Sequence, residues 1–377
     1  MKISAGKLSQ ILQATTLNKD LKLDVLDISI DSRSLRNNNN TLFFALKGTN
    51  HDAHAYINDL YSKGVRYFVV SKKIVLPNDA VIFNVSNTLQ ALQLFVADYR
   101  SNYHFPVIGI TGSNGKTIVK EWLNQLLMPY YNIIKSPKSY NSQVGVPLSV
   151  IAINEEHNLG VFEAGISQVD EMDQLQKIIQ PTIGILTNIG PAHNAGFKSI
   201  EDKLIEKLKL FKEVEVFISE KTDLIAKHIQ AGINWFNYSF SDSSAHVFFT
   251  KVDDILHVEY QQKQFKVALP FNDLASVQNI ATCITTLLFL KVNVDDIVTH
   301  IPQLQNVQMR LQVKKAINDC LYNLQYYQVE IHFHYTDEGH QGKIESSKKY
   351  YDLRMVYEHR ARHSSNLFFS EEKLQSD

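Results

Sequence analysis

Cysteine is scarce: Cys283 and Cys320 are the only two in 377 residues, and their spacing suits neither a disulfide framework nor a zinc knuckle. That usage points to a reducing compartment. No run of about eighteen apolar residues occurs, and the start, Met1-Lys2-Ile3-Ser4-Ala5-Gly6-Lys7, lacks an apolar signal core, so a cytoplasmic, unanchored chain is expected. Net charge is missing as well. With Lys+Arg 38 against Asp+Glu 39, no overall field draws the chain to nucleic acid or an anionic membrane, and any anion binding must be local. What remains is an ordinary globular composition, 44% hydrophobic and 20% charged, with room for two or three domains.

Against that background one stretch organises the chain, Val107-Ile108-Gly109-Ile110-Thr111-Gly112-Ser113-Asn114-Gly115-Lys116-Thr117. The β-branched run reads as a buried strand, and the glycines let backbone N–H groups turn inward around an anion. An amphipathic helix from about Ile118 to Met128 follows, with Ile118, Trp122, Leu123, Leu126 and Leu127 on one face. The strict G-x-x-x-x-G-K-[ST] pattern misses by one residue, since Ile110 stands where its first glycine would be; the shorter G-x-x-G-K-T form fits. In this reading Lys116 reaches the outer phosphates of a nucleotide, Thr117 offers a hydroxyl to Mg²⁺, and the helix N-terminus faces the same place.

Residues 1–105 alternate short strand-like runs (27–30, 42–46, 67–70, 81–85) with helical stretches (55–62, 88–100), giving a small α/β domain. The Asn37–Asn40 run reads as a solvated loop tip. The Asp31-Ser32-Arg33 turn follows a strand and could hold a polar or phosphorylated ligand. From Phe105-Pro106 onward, strands near 107–111, 132–135, 159–163, 182–187 and 214–219 alternate with helices, which predicts a mostly parallel sheet covered on both faces. Strand-like segments at 247–251, 256–260 and 265–269 and a helix from Leu274 to about Leu290 would close this domain near Pro302 as a small antiparallel section.

Ligands of such sheets bind beyond the carboxyl ends of the strands. Glu163 ends one strand and could be a Mg²⁺ ligand or cap the next helix. His193 follows another in Asn188-Ile189-Gly190-Pro191-Ala192-His193, where a structural or exposed histidine is the simpler reading. Lys207 lies on a lysine-rich helix face that reads as solvated surface, and spacing alone does not single it out. The polar loop 136–147 is long enough to be functional.

Together, the 111–117 loop, Tyr140-Asn141, Glu163-Ala164-Gly165, the 187–193 turn, Asp31-Ser32-Arg33 and Leu42-Phe43-Phe44-Ala45-Leu46-Lys47-Gly48, with Asp52 and His54 behind it, resemble the Mur ligases over roughly residues 1–320. The resemblance implies an ATP-dependent amide-forming ligase of peptidoglycan precursor synthesis, with ATP and Mg²⁺ as cofactors. It would join D-alanyl-D-alanine to UDP-N-acetylmuramoyl-tripeptide through an acyl phosphate, as a monomer. A ligase adding a different amino acid is an alternative. The roles it implies are Lys116 on the transferring phosphoryl group, Thr117 and Glu163 on one Mg²⁺, and His193 on a second. Lys207 would be carbamylated as a metal-binding anion. Gly112, Ser113, Asn114, Gly115, Asn279 and Arg310 would bind ATP, and Ser32, Arg33, Asn141 and Ser142 the UDP precursor.

The sequence departs from the family at several points. Leu208 and Lys209 replace a glycine and an acid after the modified lysine, Ser142 replaces the second of two paired asparagines, and of the adenine-side H-N-x-x-N pattern, placed at Ala275–Asn279, Asn279 alone is retained. The expected organisation is a UDP-precursor domain (1–105), a P-loop-type central domain (106–305), the start of a third domain (306–320) and an aberrant tail (321–377). The family's C-terminal Rossmann-like domain is then largely missing. The tail holds seven of 17 Tyr and five of 14 His with no evident strand or helix period, and a frame-shift near Cys320 is expected. That makes a nucleotide- and precursor-binding protein without turnover the alternative from another class. His332, His334 and His340 lack metal-site spacing.

Overall fold

The computed structural model describes residues 2–17, 19–33, 35, 38–190 and 197–307, and beyond these the strands within 312–360. His193 and Arg310 lie outside the described residues. Residues 1–303 form one compact unit and 304–377 a second.

Within the first unit, the N-terminal part holds a four-stranded, wholly parallel sheet of Asp27–Ser29, Thr41–Phe44, Tyr67–Val70 and Val81–Asn84, in that spatial order. A two-stranded antiparallel ribbon, Lys2–Ser4 with Lys22–Asp24, adjoins it. The asparagine run is a 3-10 turn, Asn38–Asn40, and more than a solvated tip: Asn38 Nδ2 donates to Lys63 O and Asn40 Nδ2 to Asp24 O, both at 2.7 Å.

The central part is a nine-stranded sheet. Its spatial order is Ile133–Lys135, Leu159–Glu163, Val107–Thr111, Ile183–Leu186, Val216–Glu220, Trp235–Ser239 and Val247–Val252, all in parallel pairs. Ile255–Tyr260 and Lys263–Ala268 then add antiparallel. The antiparallel section is thus continuous with the main sheet, through Trp235–Ser239, an aromatic strand that sequence reasoning did not name.

All five residues of Val107–Thr111 are buried, as expected for a strand with helices on both faces. From this strand the chain moves outward to 133–135 and returns to 159–163, then crosses to 183–186 on the other side. The connections therefore diverge beside Val107–Thr111, which places the loop after it at a topological switch point. The helix Lys116–Leu127 packs on the sheet through Trp122, which is fully buried and stacked on Phe271 with ring centroids 5.4 Å apart.

The two sheets of the first unit share a core. Thr88–Arg100, capped by Asn87, packs Leu92, Phe95 and Val96 into the same apolar cluster as Val146, Val150 and Ile153. Buried Arg100 fastens that junction, donating to Ile179 O at 3.1 Å and Gln180 O at 3.2 Å.

In the second unit, Gln312–Lys315, Leu321–Gln325, Gln328–Gly339, Asp352–Arg360 and Lys343–Ser346 form a five-stranded sheet in that order. The expectation that the tail has no strand period is corrected by this sheet: Val329, Ile331, Phe333 and Tyr335 alternate with Glu330, His332 and His334, a period of two. No helix is described among 304–377.

A candidate phosphate-loop and metal-carboxylate site

The loop 112–115 closes against 187–190, the turn that follows the neighbouring strand. Ser113 N donates to Asn188 O (2.9 Å), Asn114 N to Asn188 Oδ1 (2.9 Å), and Gly190 N to Ser113 Oγ (3.0 Å). Two glycines are required here. Gly112 sits at φ +152° with the Thr187 hydroxyl 2.0 Å from where a Cβ would stand, and Gly115 at φ +80° with Asn279 Oδ1 at 2.3 Å. Gly115 is the N-cap of the helix that begins at Lys116, and with no capping side chain there, the first-turn N–H groups stand at the positive end of the helix dipole. Lys116 is buried and its Nζ donates to Gly112 O at 2.9 Å, so its ammonium stands over the loop.

Beneath the loop, the Thr117 hydroxyl donates to Glu163 Oε2 at 2.9 Å. Glu163 is fully buried, and its Oε1 accepts no hydrogen bond. It caps no helix, because the next one, Glu171–Ile179, has Asp170 at its N-cap. A buried carboxylate oxygen without a donor costs stability unless a cation meets it. Lys120 Nζ lies 3.6 Å away, an ion-pair distance. A hard cation that takes one or two carboxylates plus hydroxyl, water and phosphate oxygens fits this donor set, which is the preference of Mg²⁺.

Lys207 contradicts the solvated-face reading. Lys203, Glu206 and Lys207 are all buried on the helix Ile200–Leu208. Lys207 Nζ points at the Thr111 hydroxyl (3.5 Å), and Lys203 Nζ donates to Gly190 O (2.7 Å). Burial, then the neighbouring Lys116 and Lys203 charges, hold the Lys207 amine well below the usual lysine range. Burial also lowers Lys203.

Gly112, Ser113, Asn114, Gly115, Lys116, Thr117, Glu163, Lys207 and Asn279 therefore converge at one end of the sheet. Asn141 joins them from the long loop, accepting from Gly165 N at 2.8 Å, while Ser142 is exposed and its hydroxyl accepts from Gly145 N at 3.1 Å. Ser32 and Arg33 stand at the end of the first N-terminal strand. The Arg33 guanidinium is bidentate on Asp31, both bonds at 2.9 Å, and holds that carboxyl down at about 2.

Sequence reasoning missed Lys120, Ser136 and Lys203. For Lys120 a signal existed: it lies four residues after Lys116 and three before Leu123, inside the buried stripe of the helix, where a lysine needs a partner.

A parallel sheet with a glycine loop at its switch point, a buried lysine above the loop and a threonine–glutamate pair beneath it defines a P-loop-type α/β protein. Residues 110–287 match the model of the Mur ligase middle domain. A UDP-N-acetylmuramoyl-tripeptide–D-alanyl-D-alanine ligase from Borreliella burgdorferi is 32% identical over 293 residues, covering 72% of this chain and 62% of that protein. A crystal structure of MurF from Acinetobacter baumannii superposes with a TM-score of 0.74 at 24% identity over 88% of this chain and 72% of that one. For MurF from Thermotoga maritima, solved with ADP, the values are 0.68, 22%, 81% and 70%. Over residues 110–287 the chain carries the Mur ligase middle domain. It spans less than two thirds of the length of the Borreliella relative. Among the described residues, no helix is long and apolar enough to cross a membrane.

Proposed function

We propose that the chain acts as an ATP- and Mg²⁺-dependent ligase of peptidoglycan precursor synthesis, joining D-alanyl-D-alanine to UDP-N-acetylmuramoyl-tripeptide in the cytoplasm. The observation that carries the reading is the buried Thr117–Glu163 pair under a glycine loop whose lysine stands above it. The relatives named above supply the substrates, and the ADP of the Thermotoga maritima structure supports the nucleotide.

Phosphoryl transfer needs positioning and charge neutralisation more than covalent chemistry from the protein. The N–H groups at the N-terminus of the helix from Lys116 would hold the phosphates, and Lys116 would neutralise the one transferred. Glu163 and Thr117 would hold Mg²⁺, which when bound draws charge from the phosphate oxygens. Lys207, whose amine is held well below the usual lysine range by burial and the neighbouring lysines, would in its neutral form add to CO2 with loss of a proton, giving the carbamate that the family resemblance implies. Asn141 would face the UDP precursor, Ser32 and Arg33 its phosphorylated end, and Asn279 the nucleotide. His193 and Arg310 would complete the metal and nucleotide contacts.

A binding protein without turnover is favoured by one observation: the elements described among 304–377 are strands of one sheet, with no helix among them, whereas the family resemblance implies a Rossmann-like third domain there. An assay with UDP-tripeptide, D-alanyl-D-alanine, ATP and Mg²⁺ separates the two. Release of ADP and phosphate that depends on both acceptor and amine supports the ligase; saturable ADP binding without such release supports the binding protein.

A further inference from the structure

Lys120 is the most completely enclosed cation near the phosphate loop, fully buried one turn after Lys116. Its Nζ donates to Ser136 O at 2.7 Å and to Lys138 O, and pairs with Glu121 Oε1 at 3.1 Å. Glu163 Oε1 stays 3.6 Å from Nζ and accepts no hydrogen bond. The ammonium therefore balances the buried carboxylate at range without occupying its oxygen. Two loop carbonyls hold it there.

Those carbonyls belong to the loop that carries Asn141. Lys138 has φ +49°, a left-handed conformation that a non-glycine residue holds only where its surroundings fix it, and Lys120 grips that residue's carbonyl. The Ser136 hydroxyl accepts from Glu163 N at 3.2 Å, and the loop returns at Asn141 O, which accepts from Gly165 N. Glu121 extends the connection through Lys135 at 2.6 Å. The helix behind the phosphate loop, the metal carboxylate and the 136–141 loop are thus joined through one nitrogen.

We infer that Lys120 is a positioning residue that couples metal and nucleotide occupancy at Glu163 to the conformation of the 136–141 loop, and so to binding of the acceptor substrate. With a divalent cation held by Glu163 Oε1, the attraction between that oxygen and Lys120 would give way to repulsion between two cations. Lys120 then bears more fully on the Ser136 and Lys138 carbonyls, and the loop tightens. The inference rests on the proposed Mg²⁺–nucleotide site.

Hydrogen exchange of the full chain, with and without ADP and Mg²⁺, tests it. In the wild type, saturating Mg²⁺–ADP slows exchange at amides 136–143 at least threefold beyond any change at the distant strand 81–84. In Lys120→Met that slowing disappears while ADP protection of 113–117 remains, and Lys120→Arg restores part of it. Lys120→Gln, which removes the charge and keeps a polar group at the site, loses the slowing likewise and keeps the proposal testable should Lys120→Met fail to fold. Loop slowing of wild-type size in Lys120→Met, or in Lys120→Gln where Lys120→Met does not fold, overturns the inference. So does faster exchange spread evenly over the chain with no rescue by arginine. Absence of any Mg²⁺–ADP protection in the wild type instead rejects the nucleotide site itself.

Discussion

Single residues of the loop carry sharply different constraints. Gly112 and Gly115 combine positive φ with neighbours closer than any Cβ tolerates, Thr187 Oγ1 and Asn279 Oδ1. Gly112→Ala is expected to distort the loop at a cost of about 1–3 kcal/mol, lowering ADP affinity by roughly 10–100-fold in a calorimetric titration. Lys207 gives a pH signature. Its amine titrates below the usual range in the folded chain, so between the folded and unfolded pKa values the unfolded chain binds the additional proton and stability rises with pH. Lys207→Met removes that penalty. In CO2-free buffer the variant should melt at a higher temperature than wild type at neutral pH, and the gap should close as the pH rises toward about 10. A gap that does not change with pH would show that Lys207 is not a buried, depressed amine.

At the scale of elements, the strand, loop and helix of 107–127 were legible because each announces itself locally: a β-branched run, paired glycines, then apolar residues at helical spacing. Glu163 was legible for a similar reason, as an acid directly after an apolar strand. Lys203 and Lys207 were not. A lysine-rich amphipathic helix normally turns its charges to solvent, and here tertiary packing turns part of that face toward Thr111 and Gly190. Trp235–Ser239 escaped because five aromatic and polar residues carry little periodicity; parallel pairing with Val216–Glu220 makes it a strand. Trp122 anchors the helix to Phe271. Trp122→Ala should cost about 3–5 kcal/mol in denaturant unfolding, with ADP affinity reduced only secondarily through the helix's position.

For the whole molecule, the sequence pattern separates residues 1–105 from the central strands, and the two sets of strands form different sheets within one compact unit, residues 1–303. Packing joins them all the same: the Thr88–Arg100 helix lays its apolar face against Val146 and Val150, a contact between segments about fifty residues apart that no local pattern announces. A chain of residues 1–303 should therefore unfold in one transition, seen as coincident fluorescence and circular dichroism melts; two separated melts would show that the two parts are independent. The central claim is that Gly112–Thr117 and Glu163 form one Mg²⁺–nucleotide site, and calorimetric titration of the full chain with ADP tests it most directly. Saturable one-to-one binding is expected that strengthens with Mg²⁺ in the wild type, loses that Mg²⁺ dependence in Glu163→Gln, and disappears in Lys116→Ala. Binding that is indifferent to Mg²⁺ in the wild type, or unchanged in both variants, would contradict it.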